Sequence, residues 1–305
     1  MAYLKQNRPF HRYLARIYCR LCYGALRSHN EEWWPGLRLQ KPGLNGAAGS
    51  VEYKGRVLAP LLPFSAKEKL EELIIVGSGP SLASQAIDKI PMSSAILLNG
   101  AVHLLSETDE RPYAIVIEDE RFIWRHWPDL CRLVPEPADV YFSTSVIRSL
   151  CETAPDWLAR QRIHHLDFVH RPYLAPRRNI QHQKELPFLM WSDDGEVAIS
   201  LQPRSGIVAA GSVAVTAAQL ALSMQPAKIG LAGIDLTSTQ MPRFYEQAGN
   251  QAMSRLDVAV ERILAAFSLI AKEGGNRDIV FENYSPISLL INKNIPYSSR
   301  LEPVS

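Results

Sequence analysis

The sequence is short of cysteines, of long apolar runs and of net charge, and each shortage removes a class of protein. Four cysteines in 305 residues (Cys19, Cys22, Cys131 and Cys151) are too few and too scattered for a disulfide framework, so a reducing compartment is expected. Cys19 and Cys22 form a lone C-x-x-C with no second ligand pair at suitable spacing, and no metal site is expected there. No run of about 18 apolar residues occurs, which predicts no spanning helix. Charges interrupt the stretch where a secretory signal needs an apolar core, so secretion is not expected. A formal charge of +2 gives no general attraction for nucleic acid, and no nucleic-acid partner is expected.

What remains is an ordinary globular composition, 47% hydrophobic and 21% charged, at a length suited to one large domain or two small ones. Charge is unevenly spread. Between Met1 and Asn30 stand Lys5, Arg8, Arg12, Arg16, Arg20 and Arg27 and no acid. Phe10, Leu14, Ile17 and Leu21 recur at helical spacing, with Arg8, Arg12, Arg16 and Arg20 on another face. Such a basic amphipathic helix either lies in the headgroup region of an anionic membrane or packs its apolar face on the protein's own core; amphipathicity alone does not choose.

Residues 30 to 66, with Trp33, Trp34, four prolines and five glycines, read as a connecting arm. Short β-rich runs then alternate with helix-length segments: Leu73 to Val76, Ala95 to Leu98, Tyr113 to Ile117, Val140 to Phe142, Ile163 to Leu166, Ile229 to Leu231 and Ile279 to Phe281. This alternation predicts a Rossmann-like α/β domain with a largely parallel sheet and helices on both faces. Continuous runs such as LIIV and AIVI suit strands buried on both sides. The section from 164 to 203, rich in arginine, histidine and proline, reads as a lid-like insertion. A helix is expected from about Ser254 to Lys272, ended by Gly274 and Gly275.

Chemistry is expected where strands end. Gly77, Ser78, Gly79, Pro80 and Ser81 follow the first strand, and a helix opening after Pro80 would aim free N–H groups at an anion. The turn is neither a P-loop nor the dinucleotide fingerprint, because it lacks the GK[ST] ending and the third glycine. Asn99 ends the second strand, and Glu118 and Asp119 end the third, at the edge where open α/β sheets bind ligands. Each has a plainer reading: Asn99 closes a turn, and either acid caps a helix. Gly206 to Ser212 (GIVAAGS) is a second turn, able to receive a phosphate or sugar carboxylate, or small because its helix packs closely. A later strand ends in G-I-D at Asp235, followed by Thr237, Ser238, Thr239, Arg243 and Tyr245.

In this order the pieces resemble bacterial CMP-sialyltransferases, together with the related MptE-like and motility-associated-factor glycosyltransferases, over about residues 70 to 290. The arm and basic N-terminus are similar to those of lipopolysaccharide-core Kdo transferases. The resemblance implies a donor-binding set of Gly77, Ser78, Gly79, Pro80, Ser81, Asn99, Gly206, Gly211 and Ser212, with Thr237 or Tyr245 on the donor phosphate. It implies a cytoplasmic glycosyltransferase, peripheral to the inner membrane, that moves an acidic sugar (Kdo or sialic-acid-like) from a CMP-linked donor to a lipopolysaccharide core or surface glycan. Inversion is expected, and no cofactor. On this reading residues 1–66 are the helix and arm, 67–290 the nucleotide-sugar-binding domain and 291–305 a tail.

Two departures stand out. Ser78 replaces the family's asparagine, as in the MptE-like branch, and no histidine follows His182, so the sialyltransferase base is missing. An acceptor hydroxyl must still lose a proton. Glu118, Asp119, Asp235, Glu246 and His170 are the candidate bases, with Glu118 or Asp119 favoured because a strand end positions them. Arg8, Arg12, Arg16, Arg20, Arg177 and Arg178 are expected to face anionic lipid or a phosphorylated acceptor. Two other readings remain: an MptE-like pyrophosphokinase using ATP and Mg²⁺ on Asp119 and Asp235, or a membrane-bound binding subunit without catalysis.

Overall fold

A computed structural model of the chain describes residues 8–43, 45–64, 70–236 and 256–303. Its strands are β1 (Leu37–Gln40), β2 (Gly49–Tyr53), β3 (Arg56–Leu62), β4 (Glu72–Val76), β5 (Ala95–Leu98) and β6 (Ala114–Ile117). They continue as β7 (Asp139–Ser143), β8 (Arg162–Leu166), β9 (Leu189–Trp191), β10 (Ala198–Ser200), β11 (Lys228–Ala232) and β12 (Val280–Asn283). The helices are α1 (Phe10–Arg27), α2 (Glu120–Leu133), α3 (Thr144–Thr153), α4 (Pro155–Ala159), α5 (Ile180–Lys184), α6 (Val213–Met224) and α7 (Leu256–Asn276).

The chain folds as two compact units, one of residues 1–64, 116–186 and 204–206 and one of residues 65–115, 187–203 and 207–305, with β6 running across the boundary in sequence. In the first unit the strands follow the order β1-β2-β3-β8-β7; the first three pair antiparallel, and β3, β8 and β7 are parallel. In the second, β5-β4-β11-β12 are parallel throughout. All seven β-rich runs of the sequence are strands, and the class is α/β with a largely parallel sheet. Ile74, Ile75, Leu97, Ile115 and Ile229 are fully enclosed, as expected of strands covered on both faces.

Three expectations need correction. Residues 30 to 66 are no irregular arm: β1 to β3 form a meander whose last strand pairs with β8. Their short alternating runs, broken by Pro42, Gly43 and Gly55, hid the pairing. The histidines His164 and His165, assigned to the insertion, lie in β8 and are buried. The last long helix does not stop at its glycines. A methyl group on Gly274 would sit 2.5 Å from the Phe281 ring, so this glycine lets α7 lie close on β12 and the helix continues to Asn276.

The orientation of α1 is the largest surprise. Arg12, Ala15 and Cys19 form its buried side, while Phe10, Leu14, Ile17 and Leu21 face solvent. Among the described residues no helix is long and apolar enough to cross a membrane.

Candidate functional site

Because β5, β4, β11 and β12 are parallel neighbours, their carboxyl ends line one edge of the second unit, where open α/β sheets form ligand crevices. That edge carries Asn99, the turn from Gly77 to Ser81, the segment from Gly233 to Asp235, and Ser285. The two central turns are laced together: the Gly77 amide donates to the Ala232 carbonyl and the Gly79 amide to the Gly233 carbonyl, each at 2.8 Å. Asp235 closes the join. Its Oδ2 accepts from the Ser81 amide at 2.9 Å, and its Oδ1 accepts from the Ser81 and Ser285 hydroxyls, both at 2.5 Å.

This explains the glycine at position 79. A methyl group there would lie 2.5 Å from the Asp235 carboxylate and 2.7 Å from the Gly233 carbonyl oxygen, so the turn reaches its neighbour only without a side chain. It also corrects the expected anion site. Pro80 opens a single 3₁₀ stretch, Pro80–Ser84, rather than a helix, and the Ser81 and Leu82 amides are already bonded to Asp235 and to the Gly79 carbonyl. Asp235 therefore acts on the architecture of the turn, with both oxygens in use.

Asn99 differs. It stands at the end of β5 with φ of 45° and opens the 3₁₀ segment Asn99–Glu107. Its side-chain carbonyl oxygen is buried and has no hydrogen-bond partner among the described residues. A buried acceptor left unpaired costs about 1–3 kcal/mol, a cost a ligand donor removes.

The second turn is pinned by residues the sequence reading missed. Gln219 of α6, fully buried, accepts from the Ser200 and Val208 amides at 2.8 and 3.2 Å and donates to the Val208 carbonyl at 2.9 Å. Arg262 of α7 donates from Nε to the Ala210 carbonyl at 3.1 Å. Ser212 caps α6 by accepting from the Ala214 amide at 3.2 Å, and Gly211 has φ of 99°. Gly206 belongs to the first unit. No local motif marks Gln219 or Arg262; Ser285 had a signal, since it too follows a strand end. Thr237, Tyr245 and Glu246 lie outside the described residues.

The first unit holds Glu118 and Asp119 at the end of β6. Asp119 caps α2: Oδ1 accepts from the Arg121 amide at 2.9 Å and Oδ2 from Arg121 Nε at 2.6 Å. Burial alone would raise its pKa, but the hydrogen bonds and charge of Arg121 hold it below the usual carboxylate value. Glu118 is half-buried, and its main-chain oxygen accepts from the Ser143 hydroxyl at 2.7 Å. The next residue, Glu120, which the sequence reading passed over, is buried and receives Arg8 Nε at 2.6 Å, Arg12 Nε at 3.3 Å and Trp124 Nε1 at 3.2 Å.

That pairing corrects the role of two arginines. Arg12 is buried, donating also to the Glu31 and Trp34 carbonyls, so Arg8 and Arg12 bind the protein's own carboxylate rather than lipid or acceptor. Arg177 donates to the Ser28 hydroxyl at 3.3 Å and Arg178 to the Val169 carbonyl at 3.2 Å, tying the loop after β8. In β8, His165 meets the Thr144 hydroxyl at 2.8 Å, and burial pushes its pKa down to about 4. His170 follows β8, where its carbonyl accepts from the Arg178 amide at 3.2 Å. A cavity of about 520 Å³ in the same unit, lined by Trp33, Leu37, Arg38, Glu52, Tyr173 and Leu174, holds none of these candidates.

No family model matches the chain. Among solved structures it is similar to a MAf glycosyltransferase from Magnetospirillum magneticum AMB-1, at 15% identity and a TM-score of 0.47 over 79% of this chain. It spans only 35% of that structure. It is also similar to the sialyltransferase CstII from Campylobacter jejuni, solved with cytidine-5'-monophosphate, at 14% identity and a TM-score of 0.37 over 77% of this chain and 89% of that one. A curated relative from Salmonella typhimurium (strain LT2), named "Probable 3-deoxy-manno-octulosonic acid transferase", is 26% identical over 256 residues, 80% of this chain and 93% of the relative. The likeness to the Kdo transferases inferred from sequence motifs thus extends over most of the chain, and it supports reading the protein as a glycosyltransferase.

Proposed function

We propose that the protein transfers Kdo, or a related acidic sugar, from a CMP-linked donor to a lipopolysaccharide-core or surface-glycan acceptor, inverting the anomeric centre. One observation carries the donor side: beside a turn locked by Asp235, Asn99 holds a buried acceptor with no hydrogen-bond partner among the described residues. The cytosine amino group and the ribose hydroxyls of a cytidine nucleotide are donors of the kind that oxygen lacks. The Gly77 to Ser81 turn, with Ser78 in place of asparagine, and Gly211 and Ser212 of the second turn are the rest of the donor set within this unit. CMP is the leaving group.

Direct displacement needs a base for the acceptor hydroxyl. Asp119 caps α2 and is paired with Arg121, which lowers its affinity for a proton, and Asp235 has both oxygens in hydrogen bonds to Ser81 and Ser285, so neither is well suited to take the proton. Glu118 is the carboxylate we assign to this role, on the ground that the end of β6 fixes its position. The same two engagements leave the pyrophosphokinase reading without support, since Asp119 and Asp235 were to be its magnesium ligands.

The test is release of CMP from CMP-Kdo and from CMP-sialic acid by the purified chain with rough lipopolysaccharide as acceptor, beside the Glu118→Gln variant. Acceptor-dependent release that the variant loses supports the proposal. Absence of CMP with either donor overturns it, and protection from heat unfolding by ATP and Mg²⁺ alone would point to the pyrophosphokinase.

A further inference from the structure

An amphipathic helix in a globular protein normally buries its apolar stripe, and α1 does the reverse. At about 100° per residue, Phe10, Leu14, Ile17 and Leu21 fall within roughly 60° of one another, opposite Arg12, Ala15 and Cys19. The first group is 57%, 51%, 44% and 80% exposed, whereas Arg12 is 3% exposed. Tyr13 and Leu26 add to the open surface. The seat of the helix is polar: Arg12 reaches Glu120 and two main-chain carbonyls, and His11 meets Glu152 at 2.9 Å. A helix held through ion pairs, with its apolar side outward, has that side available for something other than the core.

The surrounding charge says what. Arg16 and Arg20 flank the stripe, Arg27 follows it, all three are exposed, and no acid occurs between Arg8 and Asn30. Arg171 and Arg177, from the loop after β8, add positive charge: burial, and then repulsion from Arg171 and Arg16, lowers the pKa of Arg177. Glu31 and Glu32, the acids that follow the helix, both have their pKa values raised by burial, that of Glu32 to about 8, which weakens their negative charge beside these arginines. Tyr18 stacks on Trp34 at 4.5 Å and Tyr23 packs against Trp33 at 5.8 Å, giving the end of the helix the amphipathic rings that favour a membrane–water interface. Pairing of two copies through this face would bring six of these arginines together, so charge disfavours a second copy as the occupant.

We propose that α1 docks the protein on an anionic lipid bilayer, with Phe10, Leu14, Ile17 and Leu21 inserted below the headgroups and Arg16, Arg20 and Arg27 on the lipid phosphates. Arg8 and Arg12 are the anchors that hold the docking helix to α2. This assignment needs no sugar donor and stands or falls apart from the transfer reaction.

The test is sedimentation of the full chain with vesicles of phosphatidylcholine alone and of phosphatidylcholine mixed with phosphatidylglycerol. Partition onto the anionic vesicles is expected to be at least ~10-fold stronger, and to fall about 10-fold or more in a Leu14→Glu/Ile17→Glu variant. An Arg16→Gln/Arg20→Gln variant is expected to lose about 30-fold on anionic vesicles, at about 1 kcal/mol per cation. Melting curves of both variants should match the parent, because the altered side chains face solvent, and this separates lost docking from lost folding. Failure of the parent to sediment with anionic vesicles, or equal sedimentation of the parent and the glutamate variant, overturns the proposal. So does a dimer that the glutamate variant dissolves while vesicle binding is absent.

Discussion

Replacing Asp235 by asparagine tests whether the carboxylate holds the turn or does chemistry. It is 5% exposed and accepts three hydrogen bonds: the Ser81 amide at 2.9 Å, and the Ser81 and Ser285 hydroxyls at 2.5 Å. Asparagine keeps the shape and one acceptor oxygen, but its amide nitrogen must face either the Ser81 N–H or the two hydroxyls. Hydrogen bonds to a charged acceptor contribute about 1.5–3 kcal/mol each, and shared partners keep the losses from adding fully. The expected cost is about 2–4 kcal/mol, or roughly 5–10 °C in the melting temperature of the transition containing this unit. Ser285→Ala, which removes one hydroxyl and leaves Ser81 in place, should cost about 1 kcal/mol. Differential scanning calorimetry with and without CMP reads both effects: Asp235→Asn should melt early and gain little from CMP, because the turn no longer keeps its shape. If Asp235 were instead the base, the variant would lose turnover while its melting and its response to CMP stayed like the parent's. That result would refute the positioning argument.

Other expectations follow from the same contacts. Asn99→Ala removes an oxygen with no partner among the described residues, so the melting temperature should hold while calorimetric titration shows CMP binding about 10-fold weaker; unchanged CMP binding would remove Asn99 from the donor site. Glu118→Gln should lower kcat by about 100-fold or more with CMP affinity retained. Asp119→Ala should keep most of the turnover and lose about 0.5–2 kcal/mol of stability in urea unfolding through the loss of its cap. His165, held at about 4 by burial, stays neutral in the folded state while the unfolded chain protonates near 6.5. Its contribution is complete above about 6.5 and is lost as pH falls toward 4, by up to about 3 kcal/mol; urea midpoints across this window should fall in the parent and fall less in His165→Gln.

The sequence alone determined the class, the seven central strands and the turns at their carboxyl ends. These depend on local patterns: an apolar run buried on both faces is continuous, and a strand that must turn sharply ends in glycine. It also carried the resemblance to Kdo and sialyltransferases, whose motifs are strand-end motifs, and it marked Asn99 as a residue to watch. Its failures share a cause. The strands β1 to β3 were read as an arm because their pairing partners are set by the meander and by β8, not by their own periodicity. Gly274 was read as a helix stop, although its small size answers to the ring of Phe281 on a neighbouring strand.

Only the tertiary structure decided what each polar group is used for. Asp235 and Ser81 stand 154 positions apart, and nothing local to either tells that the carboxylate is consumed by the turn it seemed ready to serve. Asp119 was equally legible as a base or as a cap until Arg121 closed on it. Amphipathicity fixed that α1 has two faces but not which one is seated, because a buried arginine and an exposed leucine leave the same period in the sequence. Glu120, 108 positions from Arg12, settles the direction: an ion pair out of water requires both partners, and the helix turns its arginine inward to supply one.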